Sequence, residues 1–223
     1  MERHFDDELN QLRVDILKMS DLARQAITKS IEALTNRDNA QAQNVINDDN
    51  NIDELELTID EKCIDLIARY QPMAKDLRFI TTGLKLNSEL ERIADLAVDI
   101  AQRVEELSDK PLLKPLIDIP KLSDVAQNMV RQAIDSFIKK DIGMANKVIA
   151  SDEEADKLRD RICDELINDY MSKDTSSATR AVPLLLIARH LERICDHASN
   201  IAEDIIYMVE GKTIKHHHEE LKK

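Results

Sequence analysis

The chain has 223 residues, a net charge of −13, three glycines, five prolines, no tryptophan and 3% aromatic residues. So few turn-forming residues exclude a fold rich in β-strands, and the aliphatic and charged composition favours an all-α protein. The negative charge argues against nonspecific binding to nucleic acid, which needs a basic surface, and favours cations or a partner with a positive patch.

The predicted helices form two sets of three. In the first set they run from about Asp7 to Asn36, from Asn39 to Tyr70, where Pro72 ends the helix, and from Ala74 to Leu107. Three prolines interrupt residues 108–120. The second set is expected near residues 121–139, 142–171 and 176–210, with Pro183 indicating a kink or a late start. The short connections imply antiparallel neighbours.

The second set repeats the first. Residues 20–46 align without a gap with residues 123–149, which lie 103 positions later, and LERIADLAVDIA (90–101) aligns with LERICDHASNIA (191–202) at a distance of 101. Such a repeat predicts two tandem homologous three-helix bundles, with six long helices and a pseudo-twofold relation. The expected divisions are residues 1–108, a linker over 109–120, and residues 121–223.

The third helix of each copy carries an apolar seam on one face and acidic residues on the other. At 100° per residue, the seam from Leu86 to Val104 lies within about 40° of Leu86, whereas Glu91, Asp95 and Asp99 lie at about 140–220°. Positions four apart stack on one stripe. The second copy has Glu192, Asp196, Asn200 and Glu203. The second helix of each copy adds further pairs four residues apart: Asp49 and Asp53, and Asp152 and Asp156.

Periodicity leaves two interpretations of these stripes open. An ordinary solvated face would explain them because exposed charges are screened. Clustered carboxylates also suit hard cations, and the appearance of the stripe in both copies favours such a site. The outward direction and the lack of a matching Glu-x-x-His argue against a ferritin-like di-iron enzyme. His190 and His197 fit surface or bundle-interface positions better than ligand positions, and residues 216–218 fit a frayed polar end better than a weak metal site.

Other motifs of catalysis, export or membrane insertion are missing from the sequence. It has no P-loop, no H-E-x-x-H and no Ser or Cys set up as a nucleophile. The N-terminal segment is charged from its second residue, and the apolar run 181–188 falls short of the roughly 18 residues of a membrane span. Cys63, Cys163 and Cys195 lie far apart within apolar helical patterns, which predicts buried, reduced thiols in a cytoplasmic protein.

The sequence resembles the PhoU family of phosphate-signalling regulators over nearly its whole length. The resemblance rests on the duplicated layout, YQPMAKDLRFITTGLK (70–85), the two LERI segments and YMVEGKTIKH (207–216). It implies a cytoplasmic, non-enzymatic negative regulator. The implied partners are the ATPase of the phosphate-specific ABC transporter and the phosphate-sensing histidine kinase, both contacted at the inner face of the membrane.

The resemblance also implies a homodimer and metal clusters bound through a Glu/Asp-x-x-x-Asp motif. That motif maps onto Glu91 and Asp95, and onto Glu192 and Asp196. The metal is open among iron, manganese, magnesium and zinc, and Asn200 in place of an aspartate leaves the equivalence of the two sites open. A metal-binding helical-bundle enzyme or metal store, and a structural helical adaptor without metal, remain alternatives.

Overall fold

The computed structural model describes the backbone of residues 2–211 and the side chains from residue 4 onward, so the histidines at 216–218 lie outside the described residues. None of the described helices is both long enough and apolar enough to cross a membrane. The helices are α1 (Glu2–Asn36), α2 (Asn39–Asp48), α3 (Asn50–Tyr70), α4 (Ala74–Leu107), α5 (Asp118–Lys139), α6 (Ile142–Glu165) and α7 (Ala178–Glu210).

The two copies build equivalent bundles, as the sequence predicted: α1 to α4 form one, and α5 to α7 form the other. Equivalent aspartates start the second helix of each copy. Asp38 accepts a hydrogen bond from the Gln41 backbone N–H at 3.0 Å, and Asp141 accepts one from that of Met144 at 3.1 Å. Such N-terminal caps typically contribute about 1 kcal/mol each.

One predicted helix, residues 39–70, is divided at Asp49 into α2 and α3. The Asn51 side-chain amide donates to the Asp48 carbonyl at 3.1 Å, while the Ile52 N–H donates to Asp49, one residue nearer than in an α-helix. Asparagine side chains compete in this way with the helical hydrogen bonds. The second copy has Glu153 and Glu154 at the corresponding positions, and α6 continues unbroken.

The last predicted helix begins at Ala178, two residues after the predicted residue 176, so Pro183 does not delay its start. A π-helical turn (Leu166–Met171) follows α6, and a 3₁₀ turn (Thr175–Ser177) precedes α7. Pro183 lies inside α7 and has no N–H for the Thr179 carbonyl. Lys110 donates to that carbonyl through Nζ at 3.0 Å, so the segment between α4 and α5 provides the hydrogen bond that proline cannot.

The two central helices, α4 and α7, pack against each other and against the other helices of their own copies. The predicted seams are confirmed, since Leu90 and Ile93, and Leu191 and Ile194, are completely buried. Each buried side chain of this size contributes roughly 1.5–3 kcal/mol relative to an exposed one. The Phe79 ring, on α4, stacks on the Phe137 ring of α5 with centroids 5.0 Å apart. Because one core joins both copies, their bounds as separate domains remain a prediction.

Candidate functional site

Five carboxylates of the first copy form what we call the first acidic cluster. It consists of Asp49 between α2 and α3, Asp53 and Glu56 on α3, and Glu91 and Asp95 on α4. These groups influence each other electrostatically across the two sides of the cluster. The cluster therefore unites the predicted residues of the second helix with Glu91 and Asp95 of the third, and Glu56 is an additional member.

Three members of the first acidic cluster, Asp49, Glu56 and Glu91, are half-buried, whereas Asp53 and Asp95 are exposed. Burial raises the pKa of Glu91 to about 7, and the charges of Asp95 and Glu56 add to the rise. Burial likewise raises the pKa of Asp49 to about 6, with Asp53 and Asp95 contributing. Burial also raises the pKa of Glu56, and neighbouring carboxylates reinforce the change. Negative charge is thus concentrated here beyond what Arg92, the opposing cation, offsets.

A buried asparagine holds the two sides of this cluster in place. Asn87 on α4 donates through Nδ2 to the Glu56 carbonyl oxygen at 2.8 Å and to Oδ1 of Asp60 at 2.9 Å. It lies one helical turn before Glu91. The hydrogen bonds therefore fix the α3 backbone beside the α4 carboxylates, which keeps like charges together despite their repulsion.

The second acidic cluster consists of Asp152 and Asp156 on α6 and Glu192 and Asp196 on α7. Burial raises the pKa of Glu192, as does Asp196, while Arg159 lowers it. Burial and the charge of Asp156 raise the pKa of Asp196. Ser199 donates a hydrogen bond through Oγ to Oδ1 of Asp152 at 3.3 Å.

A guanidinium lies within the second acidic cluster. Arg159 Nη2 is 2.8 Å from Oδ1 of Asp156 and 3.4 Å from Oε1 of Glu192, and its Nε is 3.2 Å from Oδ1 of Asp160. Arg159 stands 103 positions after Glu56, the offset of the repeat. The sequence reasoning missed both residues, although a position that changes from Glu to Arg between aligned copies was a signal available to it.

Asp99 on α4 and Asn200 on α7 lie at the interface between the copies. Asn200 Nδ2 donates to Oε2 of Glu89 at 3.3 Å, and His197 Nδ1 lies 2.6 Å from the same oxygen. Across the pseudo-twofold axis, His190 Nδ1 lies 3.7 Å from Oδ2 of Asp99. Burial lowers the pKa of His190. An amide at position 200 donates to Glu89, which an ionised aspartate could not do.

Several of these groups border one surface groove beside the second acidic cluster. The groove has a volume of about 560 Å³ and is lined by Asp152, Asp156, Asp196, Asn200 and Glu203 among others. Glu203 therefore lies near Asp196, as the wheel of the last helix predicted. Both histidines lie at the interface between the copies, one of the positions expected for them. Of the cysteines, Cys63 and Cys195 are buried, Cys163 is half-buried and all three are free thiols.

The first acidic cluster fits a hard cation by the chemistry of its donors, since carboxylate oxygens are the preferred ligands of Mg²⁺, Ca²⁺ and Mn²⁺. Across residues 2–211, no three His, Cys, Asp or Glu side chains already surround one point as ligands of an ion would. Rotation of side chains four residues apart on a helix would be needed to bring their oxygens together. Burial raises the pKa values of Asp49 and Glu91, and the neighbouring carboxylates add a repulsion that a bound cation would relieve.

The PhoU domain family model matches residues 16–104 and 119–205. A relative from Aquifex aeolicus is 42% identical, with 95% of each chain covered, and one from Thermotoga maritima is 33% identical over 99% of this chain and 94% of the relative. Both are named phosphate-specific transport system accessory protein PhoU homologs.

Two solved structures share the fold. The crystal structure of PhoU from Pseudomonas aeruginosa has a TM-score of 0.89 and 34% identity, covering 93% of this chain and 100% of that one. The phosphate transport system regulatory protein PhoU from Streptococcus pneumoniae has a TM-score of 0.86 and 28% identity, covering 93% and 98%. These names describe accessory and regulatory proteins, which agrees with the prediction of a non-enzymatic protein.

Proposed function

The chain belongs to the PhoU family, and we propose that it negatively regulates a phosphate-specific ABC transporter and the histidine-kinase pathway that senses low phosphate. It acts from the cytoplasm, through contacts with the transporter ATPase and the kinase at the inner face of the membrane. The names of the relatives, accessory and regulatory proteins of phosphate transport, support the transporter as a partner. The resemblance to the family also supports a homodimer.

The proposed contacts depend on metal. The observation that carries this part is the gathering of five carboxylates in the first acidic cluster, where burial, together with the charges of Asp95 and Glu56, raises the pKa of Glu91 to about 7. Asp49, Asp53, Glu56, Glu91 and Asp95 are the residues that would hold the ion. A bound cation supplies positive charge there. The helices contribute a fixed acidic surface whose net charge, and hence its affinity for a partner, changes with occupancy.

The test compares two double variants in a strain that lacks the chromosomal gene. Glu91→Gln with Asp95→Asn removes two members of the first acidic cluster, and Glu61→Gln with Asp65→Asn removes an exposed acidic pair of the same spacing on α3. We expect only the first variant to lose bound metal, to lose co-purification with transporter and kinase, and to derepress a phosphate-starvation reporter at high phosphate.

The results separate the parts of the proposal. Metal loss with unchanged partner binding would show that the contacts are independent of metal. A deletion strain with normal repression of the reporter would contradict the regulatory role itself. Bound metal without any effect on partners, together with iron oxidation or turnover by the purified protein, would favour a metal store or enzyme. Absence of metal from a protein that still binds its partners would favour the metal-free adaptor.

A further inference from the structure

We infer that metal binding is confined to the first acidic cluster, because Arg159 already places a positive charge inside the second. This inference rests on the metal binding of the proposed function and restricts it to one of the two copies. The second acidic cluster does not fit a metal, although its Glu192 and Asp196 repeat the motif of Glu91 and Asp95.

The position of the guanidinium carries this conclusion. Arg159 extends from α6 toward α7 and contacts a carboxylate on each helix, Asp156 at 2.8 Å and Glu192 at 3.4 Å. These two residues are the counterparts of Asp53 and Glu91 in the first copy. An ion held between the helices would need the same oxygens and would meet a fixed positive charge. Arginine does not release its proton in proteins, so the charge persists at any working pH.

The repeat shows that the difference lies at one position. Where the first copy adds a fifth carboxylate, Glu56, the second has Arg159, so the same set of five positions differs by two units of charge. Another carboxylate of the second cluster, Asp152, also has a partner, since Ser199 donates to it at 3.3 Å. The five positions of the first cluster thus carry only negative charge, whereas those of the second include the positive charge of Arg159.

Mn²⁺ is a suitable probe, and the protein is stripped with a chelator before titration. Free Mn²⁺ is measured by its electron paramagnetic resonance signal in wild type, Arg159→Glu, Arg159→Gln, Glu56→Arg and Glu56→Gln. We expect Arg159→Glu to increase the bound Mn²⁺ at saturation about twofold, as a second carboxylate cluster becomes available. Glu56→Arg should remove most of the binding, with Glu56→Gln intermediate. Circular dichroism and urea unfolding identify variants that do not fold. If a charge-reversal variant does not fold, the Mn²⁺ binding of Arg159→Gln and Glu56→Gln tests the inference in its place.

Adding Glu91→Gln and Asp95→Asn to wild type should abolish Mn²⁺ binding, whereas Glu192→Gln and Asp196→Asn should leave it unchanged. Loss of Mn²⁺ with the second pair would overturn the inference and leave metal binding itself intact. A wild type that binds no Mn²⁺ would contradict the metal part of the proposed function. In that case a gain in Arg159→Glu would still support the blocking role of Arg159, and no gain would refute it.

Discussion

Substitution of Glu91 by glutamine should stabilise the metal-free protein at pH 8. Burial and the neighbouring carboxylates raise the pKa of Glu91 from 4.5 to about 7. Since the folded state holds the proton more tightly than the unfolded state does, ionisation of Glu91 destabilises the fold as the pH rises from about 4.5 to about 7. Glutamine keeps the shape of the protonated side chain and removes this penalty.

The size of the effect follows from the same pKa. At ~1.4 kcal/mol per pKa unit, the rise sets an upper bound of ~3.4 kcal/mol at pH 8. Glu91 is only partly buried, and solvent screening of such a group reduces the expected gain to about 1 kcal/mol. At pH 4.5 the gain should shrink toward zero, because Glu91 is then protonated in the folded wild type.

Urea unfolding in the presence of a chelator, at pH 8 and at pH 4.5, measures both values. Glu192→Gln is the matched control, and its gain at pH 8 should be smaller because it also removes the contact with Arg159. With added Mn²⁺, wild type should become more stable than Glu91→Gln, because an ion at 100 times its Kd stabilises wild type by about 2.7 kcal/mol. A gain at pH 8 that persists undiminished at pH 4.5 would refute the electrostatic reasoning.

Substitutions at three further positions test the packing. Phe137→Ala should lower the free energy of unfolding in urea by about 3–5 kcal/mol, because it removes a buried ring stacked on Phe79 across the two copies. A loss below about 1 kcal/mol would contradict that packing. At Gly83 a Cβ would lie 3.2 Å from Ile16 Cδ1, so Gly83→Leu should cost roughly 1–3 kcal/mol. Gly83→Ala should stay near neutral, because its better helix propensity of about 1 kcal/mol offsets the contact. Arg37 donates to the Ser108 and Lys110 carbonyls at 2.6 and 2.5 Å. Arg37→Ala should therefore speed proteolysis between α4 and α5 roughly fivefold. Unchanged cleavage would show that these hydrogen bonds do not hold the segment.

The apolar seams were predictable because a helical period needs only local sequence. The same period placed Glu91 beside Asp95 and Glu192 beside Asp196, and in the structure the charges within each pair act on each other. The contact of Arg159 with Glu192 was not predictable in this way. It depends on the axial register between α6 and α7, which the pattern of a single helix does not contain. For the same reason Asp99 was grouped with the outward stripe, although the packing of the copies places it beside His190.

The break at Asp49 had a readable local signal. Two consecutive asparagines, Asn50 and Asn51, stand where the second copy has glutamates. Asparagine favours turns and caps over helix interiors because its amide competes for backbone carbonyls. A comparison of the copies for such differences, beyond their identities, would have indicated both the break and the arginine.

The interface between α4 and α7 makes the two copies complementary and no longer interchangeable. Glu89 meets Asn200 and His197, while its counterpart His190 meets Asp99. A symmetric pair of first copies would oppose Glu89 to Asp99, two carboxylates, and a pair of second copies would lose the acidic partner of each histidine. Such mismatches discriminate against wrong pairings. Duplication has thus produced halves that select each other, so that an isolated half, or a chain with one half repeated, would lack the partner that completes its inner face.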